Sequence, residues 1–196
     1  MKKNKMKAAG ILFSYLLLFS WTLAHAQIRK PDEGVSGISL QNGKSTTLVL
    51  GENVWENRFE KADDFGFIRL ECLNANSTQL LRVGFFEGGI QNEAQVFQLS
   101  YLPPNYILSK KTVRTHIPNF LSNLKVRLNM PVQELLKIIG TAYKVSHVKG
   151  MAVYHWHITD LKSPVLKKYS AIGYFIRAKF NKSNRLVEYT FGFDYP

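Results

Sequence analysis

Cysteine is nearly absent: the 196-residue chain holds one, Cys72. No intramolecular disulfide can form, so the fold must be held by its core rather than by staples. Cys72 lies in Phe67-Ile-Arg-Leu-Glu-Cys-Leu73, where Ile68, Leu70 and Cys72 alternate onto one face. That spacing predicts a buried, inert thiol, since a nucleophilic one needs a neighbouring base. Acidic side chains are also scarce, 14 against 26 lysines and arginines, for a formal charge of +12. Asp63-Asp64 precedes a strand and reads as a solvated turn. Missing as well are Gly-x-Ser-x-Gly, His-Glu-x-x-His, a phosphate loop and a dinucleotide fingerprint. The expectation is a chain that is not an enzyme and takes no cofactor. Beyond residue 26 no stretch is apolar enough to cross a bilayer.

What is present begins with a targeting signature. Lys2, Lys3, Lys5 and Lys7 precede the apolar run Ile11 to Leu18, and Ala24-His25-Ala26 supplies the small residues of a cleavage site. An uncleaved anchor is the other reading of this segment, but Ser14, Ser20 and Thr22 interrupt the run. Residues 1–26 are therefore expected to be a signal peptide, with the mature chain starting at Gln27. No cysteine stands at the cleavage site, so a lipid-modified N-terminus is not expected. Cleavage removes four lysines and no acids, which lowers the charge from +12 to +8. A secreted or periplasmic protein of this kind does not meet cytoplasmic nucleic acid. Its scattered basic excess serves solubility, or favours acidic proteins, anionic glycans and lipid head groups.

Five segments follow from the pattern: the signal peptide, a flexible lead-in over 27–36 marked by Pro31 and Gly34, a first unit over 37–105, a linker over 106–123 and a second unit over 124–196. Ile38 to Glu52 has two readings. Asn42-Gly43 is a strong hairpin signal, whereas Leu50-Gly51 would end a weak helix. From Asp64 the period becomes two. Phe65 to Leu73, Gln79 to Phe86 and Ala94 to Tyr101 read as three strands with turns at Asn74-Ala-Asn76 and Glu87-Gly-Gly89. One face collects Leu70, Cys72, Leu81, Val83, Phe85, Phe97, Leu99 and Tyr101, an antiparallel meander with one buried side. Leu102-Pro103-Pro104 ends it.

The second unit opens on the clearest helix. Met130-Pro131 starts it, Val132, Leu135, Leu136 and Ile139 form one apolar stripe, Gln133, Glu134 and Lys137 face water, and Gly140 stops it. Met151 to Thr159 then alternates, with Tyr154, Trp156 and Ile158 on one face and Val153, His155 and His157 on the other. Ala171 to Phe180 and Leu186 to Phe193 form a hairpin across Asn181–Asn184. Its expected core face pairs Tyr174, Ile176, Ala178 and Phe180 with Val187, Tyr189, Phe191 and Phe193. The turns at Asn76-Ser-Thr78 and Asn181-Lys-Ser183 match the glycosylation pattern, but turns favour these residues anyway.

Setting Gly51 against Gly140 aligns the halves: an aromatic segment, a first strand, then a hairpin whose outgoing strand ends at Phe86 or Phe180, 35 and 40 residues past the glycines. Leu128-Asn-Met-Pro-Val-Gln-Glu-Leu-Leu-Lys-Ile-Ile-Gly140, Tyr154-His-Trp156 and the late hairpin resemble the superfamily that joins the small outer-membrane assembly lipoproteins (SmpA/OmlA-like) with the β-lactamase inhibitory protein. Asn129 stands where that family has glycine, Pro131 where it has a capping Ser or Thr, and the lipoproteins' anchoring cysteine is missing. The resemblance spans roughly Leu124 to Phe193. It implies an α+β fold, short helices on one face of antiparallel meander sheet in two tandem units, with the other face free to bind a protein. It carries over no catalytic residue.

On that free face Val153, His155, His157, Phe175, Arg177, Lys179 and Glu188 form a mixed apolar and basic patch suited to an acidic partner, another envelope or extracellular protein. Two alternatives stand beside it. His155 and His157, at i and i+2, could share a metal if Asp160, His147 or Glu188 supplied a third ligand, in a hydrolytic or metal-dependent site. Arg177 and Lys179 could instead hold an anionic glycan or lipid.

Overall fold

The computed structural model describes residues 28–51, 67–86, 93–142 and 144–194. The expected signal peptide, Asp63-Asp64 and the turn at Glu87-Gly-Gly89 lie outside them. The architecture is mixed α+β, dominated by a mostly antiparallel eight-stranded sheet. In chain order the strands are β1 (Gly34–Val35), β2 (Ile38–Ser39), β3 (Phe67–Leu73), β4 (Gln79–Phe86), β5 (Val96–Tyr101), β6 (Val113–Arg114), β7 (Lys144–Val148), β8 (Met151–Ile158), β9 (Gly173–Phe180) and β10 (Leu186–Asp194). The helices are α1 (Gly43–Leu50), α2 (Val132–Ile139) and α3 (Pro164–Tyr169). The large sheet runs β6-β3-β4-β5-β10-β9-β8-β7, with β1 and β2 a separate ribbon. Only β3 and β6 pair in parallel within the described ladders. No helix among the described residues is long and apolar enough to cross a membrane.

The helix stripe behaves as its spacing dictates. Val132, Leu135 and Ile139 are buried, Glu134 and Lys137 sit at the ends where their charges suit the helix dipole, and Gly140 ends the helix at φ 105° with its N–H on Leu136 O. So short a helix persists only by packing. It joins one apolar cluster with Trp156, Ile176 and Phe191 from the sheet, and Trp156 Nε1 donates to Gly140 O at 3.1 Å. At the seam where β5 meets β10, Phe97 lies opposite Phe191 with ring centroids 5.4 Å apart.

Several expectations need correction. Of the two readings of Ile38 to Glu52, the helix is the one adopted: Asn42 Oδ1 accepts from Ser45 N at 3.1 Å and Gly51 closes α1 at φ 93°. Ile38–Ser39 pairs backward with Gly34–Val35 instead. The stretch read as a flexible lead-in is packed, with Asp32 and Val35 fully buried and Arg29 N–H donating to the free carbonyl of Ile139 at 2.8 Å. The stretch read as a linker contributes β6 and the buried Phe120. Tyr101 is 42% exposed rather than part of the core. Val187 does not face the core either. A bulge between Leu186 and Glu188 puts Leu186 opposite Phe180, fully buried, and leaves Val187 as the extra residue.

The first meander also has more than one buried side. Leu73 and Leu80, on the face opposite Leu70 and Cys72, are fully buried. The chain leaving β5 explains this: it must pass from Tyr101 to β6 beyond β3, and Tyr106 marks its path over that face. Tyr106 Oη donates to Glu71 Oε1 at 2.5 Å, and Arg82 donates to Glu71 Oε1 at 2.8 Å and to Tyr106 Oη at 3.2 Å.

Candidate functional site

The face opposite the helices is built by strand parity. Side chains two apart on a strand share a face, and the register then aligns them across strands. One transverse row runs Glu71, Arg82, Gln98, Thr190, Arg177, His155, Lys144. A second passes through Glu188, Lys179 and Val153, and a third through Gly192, Phe175 and His157. The seven residues singled out from sequence therefore do lie on one face, contributed by β8, β9 and β10. Tyr106 and its segment cover the β3–β4 end, so the residues with access to a partner are those of the other half.

Within the patch the roles differ. Val153 is 2% exposed, so it backs the surface between Ser146 and Lys179 and is withdrawn from the contact set. Lys179 Nζ lies 2.8 Å from Glu188 Oε1, and Arg177 Nη2 lies 3.7 Å from the same oxygen. Glu188 thus neutralises Lys179 first, while Arg177 keeps a side chain 42% exposed. Phe175 and His155 are half-buried. His157 is paired with Asp194 at the rim. Gly173 makes room there: a Cβ on it would stand 2.5 Å from Asp194 Oδ2.

The two histidines do not converge on one point. His155 Nε2 lies 3.1 Å from Ser146 Oγ, and His157 points to Asp194. Burial, then the charges of Arg177 and Lys144, hold His155 below its ordinary value, which favours the neutral ring at pH 7. Among the described residues no group of three His, Cys, Asp or Glu is placed to hold a metal. The thiol of Cys72 lies on the opposite face, pushed up to about 12 by burial and by the charge of Glu71.

Sequence reasoning missed a buried polar cluster around Asp32. Asp32 exchanges backbone hydrogen bonds with Tyr174 Oη at 2.8 Å, and its carboxylate accepts from Tyr189 Oη at 3.2 Å and from Leu124 N at 3.4 Å. Burial raises its pKa to about 6. A lone aspartate between Pro31 and Glu33 carries no local signal of such a position. In comparisons with protein-family models, curated proteins and solved structures, nothing matches this chain.

Proposed function

We propose that this chain is an exported, non-catalytic protein-binding module of the bacterial cell envelope, secreted or periplasmic, that engages a partner through the face formed by β10, β9, β8 and β7. The observation that carries this reading is the access of Phe175, Arg177 and His157 on a face whose other end is covered by the chain itself. An apolar ring beside a partly exposed guanidinium is the side-chain mix found at the centres of protein interfaces. The finer architecture belongs to the same proposal: two tandem helix-plus-meander units, of the kind joining the assembly lipoproteins and the β-lactamase inhibitory protein. It is supported by two eight-residue helices that both end on a glycine of positive φ. It is supported also by Asn129 at φ 66°, in the place where that family has glycine; asparagine is the residue that most readily substitutes there.

The test is capture from an envelope extract by wild type, by Phe175→Ala/Arg177→Ala and by Leu48→Ala, a residue exposed on α1. A protein retained by wild type and the last variant, and lost by the first, is the expected result. Equal retention by all three forms defeats the reading.

A further inference from the structure

The central row of the face has hydrogen-bonding groups that the fold leaves unused. At its covered end the polar groups engage one another, Glu71 accepting from both Tyr106 and Arg82. Glu71 Oε2 there has no hydrogen-bond partner among the described residues; at the accessible end His155 reaches Ser146, whereas two neighbouring groups stay unpartnered. Thr190 is 5% exposed, and its Oγ1 has no hydrogen-bond partner among the described residues. Nor does the enclosed Nε of Arg177, its direct cross-strand neighbour. Buried donors and acceptors are almost always paired in folded proteins, because leaving one unmade forfeits its hydration. Two orphans side by side are therefore an unfilled requirement.

Charge points the same way. Arg177, His155 and Lys144 stand on adjacent strands in one line, with no carboxylate among them. Arg177 and Lys144 stand on either side of the neutral His155 ring, so this end of the row is positive. The nearest acid, Glu188, is 3.7 Å from Arg177 and already held at 2.8 Å by Lys179.

We infer that this end of the row is a seat for a carboxylate, an Asp or Glu side chain of the partner protein, which takes the guanidinium edge of Arg177 and the hydroxyl of Thr190. The inference rests on the reading of this face as a protein-binding surface and names the chemistry of what binds there. A carboxylate fits better than a phosphate for two reasons. Its planar pair of oxygens matches the fork of an arginine. It also brings one negative charge, where a phosphate would bring nearly two against Glu188. The exposure of Arg177 leaves its side chain room to turn Nε toward an incoming oxygen.

The test uses acetylated hexaglutamate as probe, with acetylated hexaglutamine, inorganic phosphate and phosphatidylglycerol vesicles as comparisons, in low salt, read by amide chemical-shift titration. Wild type is run beside Arg177→Gln, Thr190→Val, Thr190→Ser and Lys44→Gln, the last removing one exposed charge elsewhere. Hexaglutamate is expected to bind and to shift the amides around Arg177 and Thr190. Loss of one charge-assisted hydrogen bond corresponds to about 10-fold or more in affinity, the effect expected of Arg177→Gln. Thr190→Val should weaken binding several-fold while Thr190→Ser, which keeps the hydroxyl, stays near wild type. Lys44→Gln should change little. Equal weakening by Lys44→Gln and Arg177→Gln, indifference to the Val and Ser exchange at Thr190, or preference for phosphate or vesicles would each overturn the assignment. The pair separates a packing defect from a lost hydrogen bond, since valine keeps the shape without the hydroxyl and serine keeps the hydroxyl without the methyl group. If hexaglutamate binds as stated and no envelope protein is captured, the seat stands and the partner reading fails. Capture through the face with no effect of Thr190→Val gives the reverse.

Discussion

Asp32 should make the stability of this protein fall as pH rises through the mildly acidic range. Its carboxyl is fully buried, beneath Tyr189 and beside the backbone of Leu124, and burial raises its pKa from 3.8 to about 6. Between those values the folded state holds a proton that the unfolded state has released. Stability is therefore fully present below pH 4, declines as pH rises toward 6, and is level above it. A displacement of about two pH units corresponds to about 3 kcal/mol. Asp32→Asn puts a neutral isostere that does not titrate in its place; its one amide oxygen can accept from only one of Tyr189 and Leu124, a cost that does not vary with pH. The assay is urea denaturation of both proteins at pH 4, 5, 6 and 7, taking the difference between them so that every other titrating group cancels. The variant should gain about 3 kcal/mol on wild type between pH 4 and pH 7. A difference that stays constant across the series would refute the reasoning, because a fixed offset reports altered packing rather than linkage.

Three further outcomes follow from the geometry. Gly192→Ala places a Cβ 2.4 Å from Gln95 O and 2.7 Å from the Cα of Val96, at the seam of the sheet. It should cost about 1–3 kcal/mol as overpacking does, with faster amide exchange concentrated in β5 and β10. Tyr106→Phe removes the hydroxyl that donates to Glu71 and accepts from Arg82. The expected loss is about 1–2 kcal/mol, together with quicker protease cleavage between Pro103 and Lys111. Cys72, buried and with its thiol pushed up to about 12, should not react with Ellman's reagent in the native protein and should react fully in denaturant.

Much of the fold is legible in the sequence where periodicity and punctuation agree. Val132 to Ile139 combines a 3.6-residue stripe with a proline before it and a glycine after it, so its limits can be read directly. The strands β3, β4, β8, β9 and β10 announce themselves by alternation, and parity alone placed His155, His157, Phe175, Arg177, Lys179 and Glu188 on one side. What alternation cannot convey is what the chain lays over a face. Leu73 and Leu80 are buried because a segment with no regular pattern crosses above them. The bulge at Leu186–Glu188 exchanges Val187 for Leu186 with no change in composition. Asn42-Gly43 fits a hairpin or a capped helix equally well until Ser45 closes the cap. Pro164 to Tyr169 carries the start signal Ser163-Pro164 but no apolar stripe that would mark a helix. It is less than two turns long, too short for an apolar period to emerge.

Photo-crosslinking in intact cells bears most directly on the claim that this protein works by binding another through its accessible sheet face. A benzophenone side chain would be introduced in turn at His157, Phe175 and Arg177 on the face, and at Leu48, which is exposed on α1. The account predicts one envelope-protein adduct of the same mass from all three face positions and none of that mass from Leu48. Adducts of equal yield from Leu48, or no adduct from any face position while Leu48 gives one, would contradict it.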